Sequence, residues 1–177
     1  MKTNVFALVI FCALAPCVRA QEALVPEFSG RPYYVKENAL AGFERVDGNL
    51  SASTSAKGMI TFYNVGKDKS DTRFSASSMP RILIKVEAGV DPGDLIKVVK
   101  GEVTKKGRQF TVRKADRKNT ALDISEVLLK VTFNKVGDGI YEFVFEGVAP
   151  GEYAVVSSTE TNSGMALTAK LSCFGID

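Results

Sequence analysis

Apolar residues that alternate with polar ones, cut at short intervals by Gly, Pro, Asn and Asp, restrict this chain more than any other feature it has. The pattern is clearest over residues 140–157. Tyr141, Phe143 and Phe145 alternate with Glu142, Val144 and Glu146; residues 147–151 break the run, and residues 152–156 resume it. This is strand, tight turn, strand. Successive side chains of a strand point to opposite faces, so Phe143 sits at the centre of an aromatic face and is expected between two layers. Pro150 and Gly151 make the turn. Tyr153, just beyond it, is placed like the tyrosine corner of Greek-key folds, with its ring inside and its hydroxyl on nearby backbone.

The same reading extends along the chain. Residues 33–36 and 40–46 form a hairpin around Glu37-Asn38. Residues 47–57 lack apolar periodicity and read as a loop. Residues 59–65 are a strand with Ile60 and Phe62 on one face. Residues 66–78 are a loop, or a short edge strand centred on Arg73-Phe74. Ile82, Ile84 and Val86 mark a strand over 81–88. Asp91 before Pro92 suits a helix cap followed by proline at the first helical position, which predicts a single helical turn. Residues 96–104 and 108–115 pair across Lys105-Lys106-Gly107, with Phe110 and Val112 facing in. Residues 116–125 are a polar connection, and 129–135 a strand that turns at Gly137-Asp138-Gly139. A loop is expected at 160–164, and residues 167–174 close the domain. About eight to ten short strands at this spacing predict an all-β chain, an immunoglobulin-like antiparallel β-sandwich, with a closed β-barrel as the alternative.

The first twenty residues read as a signal peptide. Lys2 supplies the positive start, residues 5–14 the apolar stretch, and Val18-Arg19-Ala20 the cleavage site. Leu14-Ala15-Pro16-Cys17 has the outline of a lipidation motif, but Pro16 fits poorly before the cysteine, so a lipoprotein at Cys17 is not expected. The division is then 1–20 signal peptide, 21–30 irregular lead, 31–177 one β domain. The product is exported, to the periplasm or the cell surface, with no transmembrane segment. Loss of Lys2 and Arg19 lowers the formal net charge from +3 to +1, so overall charge favours neither nucleic acid nor a membrane surface. Cys173 remains as the one cysteine and cannot form an intrachain disulfide. Its place in the alternating set Ala169, Leu171, Cys173 makes it a buried, inert thiol.

Several short motifs go together: Pro32-Tyr33-Tyr34, the turn at 89–92 (Gly-Val-Asp-Pro), Lys106-Gly107-Arg108, Pro-Gly-Glu-Tyr-Ala over 150–154, and a final Cys-Phe-Gly-Ile-Asp over 173–177. In these the chain resembles an uncharacterised group of secreted bacterial β-sandwich proteins, over most of the mature sequence. The resemblance implies a periplasmic or surface sandwich and no known reaction.

Chemistry is limited mainly by what is missing. There is no histidine, which removes Ser-His-Asp and Cys-His nucleophiles and nearly every zinc, copper or haem site. No phosphate-binding glycine loop and no calcium loop occurs. The expectation is a non-catalytic protein with no cofactor and no metal. Three acid pairs, Asp91 with Asp94, Asp68 with Asp71, and Glu142 with Glu146, keep a carboxylate-dependent glycan hydrolase as a minor alternative. Tyr33, Tyr34, Phe43 and Tyr63 are a candidate carbohydrate platform, though aromatics at strand spacing are more often core.

The strongest feature outside the core pattern is charge segregation. Lys97, Lys100, Lys105, Lys106, Arg108, Arg113, Lys114, Arg117 and Lys118 crowd one hairpin and its exit, while residues 136–169 carry no Lys or Arg. One reading is an anion-binding face for an envelope component or an acidic protein. The other is a solvated hairpin whose lysines block edge-to-edge strand pairing. Nucleic acid is disfavoured, because no aromatic residues interleave with the cations as stacking platforms. The function expected is a binding or adaptor module of the cell envelope, or else a structural or assembly component of an envelope complex.

Overall fold

The computed structural model describes residues 24–158 and 168–177. The signal-peptide reading and the loop expected at 160–164 lie outside the described residues. Among these residues thirteen strands make one continuous network: β1 (Pro32–Lys36), β2 (Ala39–Gly42), β3 (Glu44–Ser55), β4 (Gly58–Val65), β5 (Arg73–Phe74), β6 (Ile82–Lys85), β7 (Ile96–Thr104), β8 (Gly107–Ala115), β9 (Ala121–Leu122), β10 (Leu128–Gly137), β11 (Ile140–Glu146), β12 (Gly151–Ser157) and β13 (Thr168–Ile176). One helical turn, α1 (Pro92–Leu95), precedes β7, and a 3₁₀ turn at Ser125–Val127 precedes β10.

The chain is all-β, but the immunoglobulin-like sandwich is replaced by the alternative, a closed barrel. Six antiparallel strands in the order β7-β12-β13-β3-β4-β8 return to β7. The closing ladder pairs Glu102 with Gln109, Val103 with Arg108 and Thr104 with Gly107. A second sheet, β2-β1-β6-β11-β10, joins the barrel through Leu128↔Val99 and Leu129↔Val98. One edge of β7 therefore serves two partners. Its first half meets β10 and its second half turns back on β8, while β12 runs along the other edge. That double use closes the barrel and also hangs the outer sheet on it.

Alternation distributes the apolar residues between two cores. On β12, Tyr153 and Val155 face the outer sheet and Ala154 faces the barrel interior. On β13, Phe174 and Ile176 face outward, while Ala169, Leu171 and Cys173 face inward. Val98 and Val99 divide in the same way. Phe143 is buried between the layers as expected, edge-on to Phe133 with ring centroids 4.9 Å apart. Full burial of such side chains contributes roughly 1.5–3 kcal/mol each. Small residues make room inside the barrel. A Cβ on Gly48 would lie 2.6 Å from Leu171 Cδ1, and one on Gly101 would lie 2.6 Å from Phe110 Cε1.

Several local expectations hold. Glu37 and Asn38 have φ of 51° and 62°, the tight turn of the β1–β2 hairpin. Asp91 caps α1, its carboxylate accepting from the Gly93 amide at 2.7 Å. The Tyr153 hydroxyl donates to the Ala149 carbonyl at 2.7 Å, the expected corner contact, here in a barrel. Others change. Residues 47–57 are mostly strand: β3 runs to Ser55 and pairs with β13 and β4. Its outer half is exposed, so it needs no apolar alternation. Arg73-Phe74 is the short edge strand that the sequence offered, and it pairs in parallel with Gly175 and Ile176. On β4 it is Tyr63 and Val65 that are buried, while Ile60 is exposed. A register shift between Thr61 and Phe62 resets which residues face in.

Candidate functional site

Arg108 lies on the same face of β8 as Phe110, and that face lines the barrel. Both are completely buried. The guanidinium sits between two carboxylates from barrel strands that do not pair with β8, Glu44 of β3 and Glu152 of β12: Nη1 donates to Glu44 Oε2 and to Glu152 Oε2, each at 3.3 Å. Nε donates to the Lys67 carbonyl at 3.1 Å. Glu152 also accepts from the Ser70 amide at 2.8 Å and from Arg73 Nη1 at 2.7 Å. Glu44 accepts from the Ser70 hydroxyl and the Asp71 amide. Arg73 reaches on to Asp177. The network closes one end of the barrel with paired charge and straps the segment leading into β5 across it. Gly107 permits this: its φ is +109° and a Cβ would stand 2.0 Å from the Val65 carbonyl oxygen.

Removing Arg108 from the surface breaks up the basic face. Lys105 and Lys106 are exposed at one end of β8; Lys114, Arg117 and Lys118 lie at or beyond the other. β8 is nine residues long, so its two ends are on the order of 30 Å apart. Arg113 donates to Asn119 Oδ1 at 2.7 Å, Lys114 pairs with Glu126, and Arg117 donates to the Ala56 carbonyl. Edge protection is no better supported, because neither β7 nor β8 is a sheet edge. Lys97, Lys100, Lys105, Lys106 and Lys118 are exposed and make no salt bridge with a described residue.

The other sequence candidates are dispersed. Asp91 is a helix cap, Asp71 pairs with Lys67, Glu142 with Arg81 and Glu146 with Lys130. The carboxylates that the fold does bring together, Glu44 and Glu152, are taken up by Arg108. The aromatic platform does not form: Tyr33, Phe43 and Tyr63 are buried, Tyr63 in the barrel core and Phe43 edge-on to Tyr34 in the other. Cys173 is fully buried in the barrel, and burial pushes its thiol up to about 12. Among the described residues no group of His, Cys, Asp and Glu is placed to hold a metal ion. No helix there is long and apolar enough to cross a membrane.

β7 meets β12 with Gly101 beside Glu152 at the charged end and Lys97 beside Val156 at the far end. There a cavity of about 240 Å³ enters the barrel, lined by Tyr63, Val99, Val112 and Val156, with Asp94 and Lys97 among its polar residues. No protein-family model, no curated protein and no solved structure matches this chain. The case for a site therefore rests on geometry. Beyond Leu128 and Leu129 the ladder between β10 and β7 stops and the two strands part. A second hollow, of about 460 Å³, opens in that wedge over Ile96, Val98, Leu129, Val131 and Phe133. Lys97 and Leu128 line both hollows. Sequence reading placed Lys97 in the basic series but had no signal for the wedge, which exists only because two strands distant in sequence separate.

Proposed function

We propose that this protein is an exported, non-catalytic binding module of the bacterial cell envelope, and that its ligand is held at the β7–β10 junction. The observation that carries the reading is Lys97, a cation with no salt bridge to a described residue, set where two apolar hollows meet. Concave, largely apolar sites with a few polar groups at the rim are where proteins hold small ligands, and barrel mouths are among their usual places. The N-terminal leader reading supports export. The groups that would serve acid–base chemistry support the non-catalytic part, since Glu44 and Glu152 are spent on Arg108.

Titration with Nile red, a neutral apolar dye that brightens in dry surroundings, tests this. Saturable binding of one dye per chain is expected, and Ser125→Trp at the exposed rim of the wedge should weaken it. A purely linear, non-saturating signal would defeat the reading.

The assembly alternative has one observation in its favour. The outer sheet ends in β2, whose four residues Ala39–Gly42 contain no charge and no proline, and whose outer edge pairs with no described strand. So short an edge offers few backbone hydrogen bonds, which ranks this reading second. Sedimentation that depends on concentration, and is abolished by Ala41→Pro, would reverse the order.

A further inference from the structure

Two features of the wedge define what would fit it. Its floor is hydrocarbon: Ile96 and Val98 from β7 and Leu129, Val131 and Phe133 from β10. Ile96 and Val98 belong to the core between the layers, so the wedge is a place where that core comes within reach of solvent. Its rim is cationic. Lys97 and Lys130 line it, and no acidic residue among the described ones does; Asp94 lines the barrel cavity but not the wedge. Lys130 pairs with Glu146 at 2.6 Å, but both side chains are well exposed, at 76% and 48%. Such a pair is weak and exchanges readily, which leaves the Lys130 ammonium free to turn toward a stronger anion. A volume of about 460 Å³ falls in the range of small-molecule sites and far below what a folded partner or a bilayer would need.

We infer that the wedge between β7 and β10 takes a small anionic amphiphile, with its alkyl chain against Ile96, Val98 and Phe133 and its carboxylate or phosphate head between Lys97 and Lys130. The inference rests on the binding-module reading and adds the class of ligand. A neutral chain of the same length would gain the same apolar burial without the charge-assisted contacts. A strongly hydrated polar anion such as citrate would gain the charge without the burial. The two lysines and the hydrocarbon floor together select molecules that have both parts.

Calorimetric titration of the exported chain with decanoate, decyl phosphate and decanol, each below its aggregation concentration, tests this. One molecule of decanoate or decyl phosphate should bind per chain, about tenfold more tightly than decanol, the ratio one good charge-assisted contact supplies. In the double variant Lys97→Gln, Lys130→Gln that advantage should vanish while decanol binding stays as it was. Binding of only one of the two anions would still support the inference and would identify the head group. Equal affinity for decanol and the anions would overturn it, and saturable Nile red binding would then leave the binding-module reading standing. Absence of heat with all three would overturn it outright.

Discussion

Arg108 brings its guanidinium donors into the barrel interior, and removing it takes away the cation that Glu44 and Glu152 share, leaving Glu152 to Arg73 and Glu44 to the more distant Lys67. Taking one member from a buried ion cluster costs about 3–5 kcal/mol, because the remaining charges stay desolvated. Arg108→Met is therefore expected to lower the urea midpoint severely or to prevent folding. Lys105→Ser with Lys106→Ser, in the adjacent turn, should shift stability by no more than about 0.5 kcal/mol. Equal midpoints for the two variants would mean that the cluster does not hold the barrel end. Cys173 supplies a second residue-scale outcome. Its thiol is raised to about 12 by burial, so the folded state favours the protonated form. The associated stability is complete below the ordinary thiol value of about 8.5 and is lost as pH climbs from there toward 12. At pH 8 the native protein should resist iodoacetamide and become alkylated only in denaturant; alkylation at equal rates in both would contradict its burial.

Among the elements, β5 depends most on a few charged contacts. It has two residues, and it is held to the end of β13 by backbone bonds and by Arg73, which joins Glu152 on one side and Asp177 on the other. The hydrogen bond from Arg73 lowers the Asp177 carboxyl below its usual range. A lowered carboxylate stabilises the fold above the unfolded value, and that contribution is lost as pH falls through the folded one. Protection from hydrogen exchange at Ala76, Gly175 and Asp177, whose amides tie this segment down, should drop at acid pH before the barrel amides lose theirs. Arg73→Ala should produce the same loosening at neutral pH, and unchanged protection in that variant would refute the clasp. The elements also show what alternation can reveal. The α1 cap, the β7–β8 hairpin and the Tyr153 corner were all legible, because each is decided by residues close in sequence. The polar half of β3 was not, because its pairing comes from β4 and β13 rather than from its own composition. Arg108 was assigned by charge although its place two residues before Phe110 puts it on the inner face. Parity along the strand was the better guide there.

At the scale of the molecule, β7, β12 and β13 each give one face to the barrel interior and the other to the outer sheet, so the core between the layers is built from strands of both, while the buried residues inside the barrel come from barrel strands. Closure at one end is charged and complete, through Arg108, Glu44 and Glu152. At the other, the strand ladder that joins the two layers among the described residues is two residues long, Leu128↔Val99 and Leu129↔Val98, and both hollows lie beside it. This asymmetry was invisible in the sequence, where Arg108 and Lys97 belong to one basic run; the fold sends one to seal the barrel and the other to the junction. The central claim is that ligand binds at that junction. A ¹H–¹⁵N correlation spectrum recorded through a decanoate titration tests it most directly. The largest saturable shifts are predicted at the amides of Ile96, Lys97, Val98, Leu129, Lys130 and Val131. Shifts centred instead on Lys105, Lys106 and Gly107, or spread without saturation over the surface, would contradict it.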